Sequence, residues 1–310
     1  MRKISVIVAT YNRCHQLKNF LNSLVNQEFD KSFDYEVIIV DNNSTDDTKS
    51  VVTGFMNQFN GKLKYLLERR QAQAYALNKG IKEACGEIIA INDDDVILCK
   101  DWLKNINKYF KLYPDIAAIG GKILPKFECK VPPWLTLNQP YLLKGALNYY
   151  DYGNKAFEID KDKQFLGANV AIRSDVFKKH GLLSEKITKH GNRILIFPDT
   201  EFYHRIKNRG EKIMYAPDVF VEHVFDESRI NKRYFKRWYY YTGISSVFVY
   251  PPKKAKKIFR IPLWLFKRTC FHFLKSLVFW FKNQKAKSFF HEVQFYFDLG
   301  QMRGYLKDGF

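Results

Sequence analysis

Three adjacent carboxylates, Asp93, Asp94 and Asp95, follow closely on the apolar segment EIIAI at 87–91. Like charges crowded at the end of a strand repel one another, and a divalent cation relieves that repulsion. Carboxylate oxygens are hard ligands, so the run indicates Mg²⁺ or Mn²⁺ rather than zinc. Side chains alternate along an extended chain, so Asp93 and Asp95 can face the same way, one toward a sugar or ribose hydroxyl and the other toward the metal. Taken alone, a solvated acidic turn explains the run equally well.

Two further predicted strands end in polar residues. ISVIVAT at 4–10 and EVIIV at 36–40 are continuous apolar runs, typical of strands buried on both faces, and they lead into Thr10-Tyr11 and Asp41. Helix-like segments alternate with them, which predicts a parallel sheet with right-handed crossovers. Ligands of such sheets bind at the carboxyl ends of the strands. The acidic run and the polar strand ends should therefore meet at one edge, which favours a site over a solvated turn.

Five segments, in this order, resemble the motifs of family 2 glycosyltransferases over roughly residues 3–224. They are SVIVATYNR, VIIVDNNSTDDT, AYALNKGIKEACGEIIAINDDDV followed by DWL, FLGANVAIR, and PDTEF. The resemblance implies an α/β fold of the GT-A type, with a Rossmann-like, mostly parallel central sheet and helices on both faces. It also implies inverting transfer of a sugar from a nucleotide-diphosphate sugar, with UDP favoured. The implied acceptor group is a hydroxyl of a glycan or of a lipid-linked molecule in bacterial surface-polysaccharide synthesis.

The same resemblance implies a nucleotide and donor site. Asp41 matches the aspartate that hydrogen-bonds the base, and Thr10 and Tyr11 lie where the family holds base and ribose. The family often has an arginine where this chain has Leu77, so a neighbouring arginine, Arg70 or Arg69, is expected to supply the missing phosphate or sugar contact.

For the metal, the resemblance implies Mn²⁺ or Mg²⁺ bound at the Asp-x-Asp motif. Asp93 and Asp95 match its two ends, Asp93 toward donor sugar or ribose and Asp95 toward the ion, with Asp94 between them in the donor site. His223 lies where some members place a further metal or phosphate contact, although a histidine in an alternating strand is at least as often structural.

Asp199 matches the family's general base, although this chain has Pro198-Asp199 where Glu-Asp is usual, and a helix N-cap is the alternative role. Three residues are candidate acceptor contacts: Glu201, Asn169 and Trp134. Asn169 follows a small-residue stretch that either admits the acceptor or simply packs tightly. Trp134 after two prolines is equally interpretable as an acceptor platform or a hydrophobic plug.

The hydrophobic content of 46% excludes a mainly disordered chain. Charged residues are distributed unevenly along the 310 residues. Residues 1–228 carry 33 Lys/Arg against 29 Asp/Glu, and residues 229–310 carry 18 against 3. We therefore expect a catalytic domain over 1–228, with a donor half at about 1–121 and an acceptor half at about 122–228. The remainder, 229–310, is a basic, aromatic, helical extension. Scattered cysteines and the lack of a signal or spanning segment predict a cytoplasmic location.

Residues 258–282 predict a helix on which basic side chains share an arc of roughly 100°, while the rest is aromatic or aliphatic. That pattern is typical of a helix lying on an anionic membrane, which predicts peripheral association with the inner face of the cell membrane. The alternative is a helix packed on the protein's own core. Nucleic acid is not expected, because the apolar face is wide.

Two other function classes stay open. A sugar nucleotidyltransferase ordinarily needs a glycine-rich loop after its first strand, and residues 9–13 contain no glycine. A non-catalytic membrane- or nucleic-acid-binding protein on a GT-A scaffold does not require the carboxylates Asp93, Asp95 and Asp199, which are all present.

Overall fold

The computed structural model describes residues 2–28, 32–160, 163, 165, 167–185, 198–249 and 255–306. In this part of the chain the strands are β1 (Arg2–Thr10), β2 (Phe33–Asp41), β3 (Leu63–Leu67), β4 (Ile88–Asn92), β5 (Val96–Leu98), β6 (Ala118–Phe127), β7 (Phe157–Glu158), β8 (Asn169–Arg173), β9 (Ile213–Phe225), β10 (Lys257–Ile258) and β11 (Ile261–Pro262). The helices are α1 (Cys14–Val25), α2 (Thr48–Phe55), a 3₁₀ turn (Met56–Phe59), α3 (Gln73–Glu83), α4 (Trp102–Leu112), α5 (Ser174–His180), α6 (Pro198–Asn208), α7 (Lys232–Val249), α8 (Leu263–Phe281) and α9 (Lys285–Leu306).

The central sheet has the strand order β3-β2-β1-β4-β8-β6-β9-β5, and β7 pairs with β9. Pairing is parallel across β3, β2, β1 and β4, and antiparallel where β8 joins β4 and β6 and where β5 and β7 join β9. Helices α3 and α4 contact β1, so the sheet is flanked by helices. The predicted α/β fold class is therefore confirmed, with its parallel pairs at one end of the sheet.

Apolar runs account for the parallel half of the sheet. Ile4, Val6, Ile7 and Val8 of β1 are fully buried, as are the central residues of β2 and most of β4. Strands of this kind need cover on both faces, which the alternating helices supply. On α1 the buried residues recur at helical spacing, and this stripe faces the core. The buried side chains of that stripe are Cys14, Leu17, Phe20, Leu21 and Leu24.

Strand register brings the polar strand ends to one edge. Thr10 of β1 lies beside Asp41 of β2, and Val8 lies beside Asn92 of β4. The residues just beyond Asn92, where the acidic run begins, therefore lie next to the end of β1. This edge is the carboxyl end of the parallel strands, where ligands of α/β sheets bind.

The described residues divide into two compact units, the first containing 2–126, 150–185 and 198–224 and the second containing 127–149 and 225–306. The first unit holds the sheet and its helices. The second joins a loop-rich segment, 127–149, to the C-terminal helices, although the sequence assigned that segment to the acceptor half. The predicted functional division near residue 228 stays a prediction.

Within the second unit, α7 and α9 approach so closely that two contact positions must be glycine. A Cβ atom on Gly243 would lie 2.1 Å from the Phe297 carbonyl oxygen, and one on Gly300 would lie 2.0 Å from the Tyr240 carbonyl oxygen. The described helices include none that combines the length and the hydropathy needed to cross a bilayer.

Candidate functional site

The acidic run occupies the turn between β4 and β5, and two side chains, one at the end of β1 and one in the β1–α1 loop, hold its middle residue. The Thr10 hydroxyl donates to Asp94 Oδ2 at 2.7 Å. Arg13 Nη1 donates to Asp94 Oδ1 and to Asp95 Oδ2, both at 2.9 Å. Asp94 and Asp95 are each only 4% exposed, so the guanidinium supplies the positive charge that two buried carboxylates need. Arg13 was not assigned a role from sequence.

Asp93, Asp95 and His223 together offer three ligand atoms within 4.8 Å of one another. His223 Nε2 lies 3.1 Å from Asp95 Oδ1 and 3.9 Å from Asp93 Oδ2. His223 reaches this position because β9 pairs with β5, where it lies opposite Val96. Two carboxylates and one imidazole on adjacent backbone segments fit a divalent cation, and His223 was among the residues predicted to bind it.

Burial and, next to it, the neighbouring Asp95 carboxylate together raise the pKa of Asp93 to about 7, against the opposing effect of His223. Burial likewise raises the pKa of Asp94, although Arg13 opposes the shift. Negative charge on these neighbouring carboxylates is therefore unfavourable, and a bound cation would relieve the repulsion between them.

Asp41 lies at the end of β2 and is 2% exposed. The backbone N–H of Ser44 donates to Asp41 Oδ1 at 2.8 Å, and the Tyr65 hydroxyl donates to Oδ2 at 2.7 Å. Burial raises the pKa of Tyr65, and the Asp41 carboxylate raises it further, so Tyr65 stays a donor. These two contacts fix the orientation of Asp41. Tyr65 was missed from sequence, since a tyrosine in a strand gives no sign of its partner. Tyr11, beyond the end of β1, is 46% exposed.

Arg70 is held by two neighbours after β3. Its Nε and Nη2 donate to the Glu68 carboxylate at 3.1 and 3.2 Å, and its guanidinium lies 4.3 Å from the centre of the Tyr75 ring. Asn42 ties the same loop to β2, because its side-chain amide donates to the Arg70 carbonyl at 2.7 Å. Arg70 is thus a fixed positive charge near the end of β2.

Asp199 lies in the first turn of α6, and its Oδ2 accepts the backbone N–H of Gly167 at 2.8 Å. Gly167 precedes β8, where Asn169 lies opposite Asn92, so this contact falls at the strand edge that carries the acidic run. Burial raises the pKa of Asp199, against hydrogen bonds from the Gly167 and Thr200 backbone. A carboxylate whose pKa is raised in this way is suited to accept a proton.

The three candidate acceptor residues have defined partners. Asn169 is fully buried; its Oδ1 accepts from Trp102 Nε1 at 3.0 Å, and its Nδ2 donates to two backbone carbonyls. Glu201 forms an ion pair with Arg205 at 2.9 Å. In the second unit, Trp134 packs against aromatic rings of that unit's own core, as a hydrophobic plug does; these are Phe235 and Phe289, with ring centres 5.5 and 4.6 Å away. The acceptor contacts stay predictions.

The profile of the family described as "Glycosyl transferase family 2" matches residues 5–181. The chain is 41% identical over 212 residues to GalNAc(5)-diNAcBac-PP-undecaprenol beta-1,3-glucosyltransferase of Campylobacter jejuni, covering 66% of this chain and 62% of that protein. It is 28% identical over 235 residues to poly(ribitol-phosphate) beta-N-acetylglucosaminyltransferase TarS of Staphylococcus aureus, covering 72% of this chain. The chain spans only 39% of the length of TarS.

Two solved structures are similar in fold. The mannosyltransferase PcManGT of Pyrobaculum calidifontis, in complex with GDP-Man and Mn²⁺, gives a TM-score of 0.64 at 17% identity, covering 97% of this chain and 87% of that one. S. aureus TarS 1–349 in complex with UDP gives 0.52 at 18% identity, covering 97% and 91%. The sheet, the strand-edge carboxylates and the family match over more than half of the chain agree: this chain belongs to glycosyltransferase family 2.

Proposed function

We propose that the chain is an inverting, divalent-metal-dependent glycosyltransferase that moves a sugar from a UDP-sugar to a hydroxyl group of a glycan or lipid-linked acceptor in cell-surface polysaccharide synthesis. The observation that carries the proposal is the cluster of Asp93, Asp95 and His223 at the strand edge that also bears Asp41 and Asp199.

On this proposal the donor nucleotide lies over the ends of β1 and β2. Asp41, oriented by Tyr65 and Ser44, accepts the imide N–H of uracil, a donor that suits a carboxylate. Tyr11 and Thr10 border the base and ribose, and Arg70 contacts a phosphate as a fixed cation. The UDP complex of TarS supports the choice of UDP.

Asp95 and His223, with Asp93, would hold the cation. When bound, it would neutralise the charge that develops on the departing diphosphate and orient it. A nitrogen ligand beside two carboxylates favours Mn²⁺ over Mg²⁺, since Mg²⁺ prefers oxygen ligands. Asp94 stays bonded to Thr10 and Arg13, and so positions the turn that carries its two neighbours.

Asp199 serves as general base. As the acceptor oxygen forms a bond to the anomeric carbon, its proton passes to Asp199, and the bond from the anomeric carbon to the diphosphate oxygen breaks. One displacement inverts the anomeric configuration and releases UDP. The hydrogen bond from the Gly167 N–H to Oδ2 fixes the orientation of the Asp199 carboxylate.

We also propose that the reaction takes place at the inner face of the cell membrane. The excess of basic residues in 229–310 supports this location, because anionic headgroups attract such segments. The undecaprenol-linked substrate in the name of the C. jejuni relative supports a lipid-linked acceptor.

The test is UDP release from a panel of UDP-sugars, with GDP-mannose as the nucleotide control, in the presence of Mn²⁺ or EDTA. The proposal predicts release that needs both Mn²⁺ and an acceptor and that is lost in Asp95→Asn. Pyrophosphate release from a nucleoside triphosphate and a sugar phosphate would instead identify a nucleotidyltransferase. No turnover of any donor, with wild-type folding intact, would favour a non-catalytic protein.

A further inference from the structure

The outward face of α8 is apolar although it is exposed. Ten of its apolar side chains keep between 37% and 77% of their surface accessible, and Phe281, Trp280 and Leu274 are the most exposed. At about 100° per residue, these ten side chains cover an arc of about 200°. Soluble proteins rarely expose a continuous apolar patch of this extent without a partner.

The opposite side of α8 is fixed by α9. Leu265 and Thr269 are buried there, and Arg268 Nε donates to the buried Asp298 carboxylate at 2.8 Å. This ion pair, whose carboxylate is buried, and the close packing of α7 with α9 hold the three helices together, and they fix the rotation of α8 so that its apolar face points outward.

A second apolar feature precedes α8. The strands β10 and β11 form a hairpin whose two turn residues, Phe259 and Arg260, have φ angles of 47° and 68°. Such turns favour asparagine and glycine, and a phenylalanine in this region is strained. Phe259 is nevertheless 83% exposed, so the strained turn presents an aromatic ring to the surroundings.

The hairpin tip and the start of α8 are continuous. Phe259, Ile258, Leu263, Trp264, Phe266 and Lys267 line one open groove of about 530 Å³. The tip and the α8 face therefore form a single apolar surface, which we call the α8 surface.

Charge identifies the partner of the α8 surface. Residues 255–306 carry ten Lys/Arg and two Asp/Glu; of the exposed lysines of α8, Lys267 lies within the apolar arc and Lys275 lies just beyond its edge. Aromatic rings that sit at headgroup depth, flanked by lysines that reach outward, are typical of helices lying in a membrane interface.

We propose that the α8 surface inserts into the interface of an anionic membrane, with α8 parallel to the bilayer and Phe259 as a separate anchor. This inference deepens the proposed membrane location by naming the contact surface; α7 and α9 act as its support. It rests on the proposed function only for the choice of the cell membrane.

The test is flotation of the purified full chain with vesicles of phosphatidylcholine alone or mixed with phosphatidylglycerol, without donor or metal. Wild type should bind the mixed vesicles, and more weakly at high salt. Phe259→Asn should lower the partition coefficient at least about tenfold, because burial of such a ring is lost. Asparagine tolerates this turn, so thermal stability should stay the same or rise. Trp280→Ser combined with Phe281→Ser should lower binding at least about a hundredfold.

Leu112→Ser is the matched control, since Leu112 is 60% exposed on α4 of the first unit, and it should bind like wild type. Wild-type binding by both α8-surface variants would overturn the proposal, as would no binding of wild type to either vesicle. If wild type does not bind vesicles but forms dimers, and the α8-surface variants are monomers, then a second copy of the chain covers the surface and the proposal is wrong. Vesicle binding by a chain that releases no UDP from any donor would contradict the proposed function but not this inference.

Discussion

Replacing Arg13 by methionine removes the positive charge that lies between Asp94 and Asp95. Each of its two hydrogen bonds between charged groups contributes about 1.5–3 kcal/mol when buried. Because the Arg13 side chain is 43% exposed, solvent screening reduces the pair to about 2 kcal/mol in total. For a unit of this size that loss lowers the melting temperature by about 4–8 °C in EDTA. Thermal unfolding followed by fluorescence or calorimetry measures it.

The informative readout is the response to Mn²⁺. Without Arg13 the carboxylates repel one another more, so Mn²⁺ should raise the melting temperature of Arg13→Met more than that of wild type. Lys126→Met is a matched control, since Lys126 is also 43% exposed and pairs with Glu222 at 2.7 Å. Its Mn²⁺ response should equal that of wild type. Equal melting temperatures and equal Mn²⁺ responses for Arg13→Met and wild type would refute the reasoning.

Three further predictions follow from other parts of the structure. Asp199→Asn should lower turnover about 10²–10⁴-fold and leave UDP affinity unchanged, whereas Glu201→Gln, measured in the same assay, should change turnover far less; equal losses in both would remove the base assignment. Burial opposes ionisation of Glu36, but hydrogen bonds from Lys64, Ser5 and the Cys85 N–H outweigh it and lower its pKa. The ionised Glu36 therefore contributes its full stabilisation above the unfolded-state pKa of about 4.3, and this contribution is lost as the pH falls through the folded-state pKa. In urea unfolding, the midpoints of Glu36→Gln and wild type should therefore converge only in acid. Gly243→Ala should destabilise the chain by at least about 1–3 kcal/mol in urea, because its methyl group would meet a backbone carbonyl of α9; an unchanged midpoint would contradict that packing.

The parallel half of the sheet was predictable because its strands are uninterrupted apolar runs. The runs at 4–10 and 36–40 lie within β1 and β2, and Asp41 ends its strand as expected. By contrast, β5 has three residues, too few for any periodicity, and its antiparallel partner β9 is over a hundred residues away. Sequence therefore pointed to the acidic run but not to the antiparallel half that frames it.

Side-chain partners were the least predictable feature of the site. Asp94, predicted to contact the donor, is hydrogen-bonded to Thr10 and Arg13, partners that the sequence did not indicate; its donor contact stays a prediction. Arg13 could have been predicted as a partner, because it is a basic residue three positions after Thr10 and the end of β1 was expected to lie beside the acidic run. Tyr65, which orients Asp41, gave none, because a cross-strand hydrogen bond depends on register rather than on residue type.

The central claim is that Asp93, Asp95 and His223 hold a cation that in turn holds the nucleoside diphosphate. Isothermal titration of UDP with and without Mn²⁺, in wild type and Asp95→Asn, tests it most directly. We predict that Mn²⁺ tightens UDP binding to wild type at least about tenfold, or 1.4 kcal/mol, and that Asp95→Asn abolishes this gain. UDP binding of equal affinity with and without Mn²⁺ in wild type would contradict the claim.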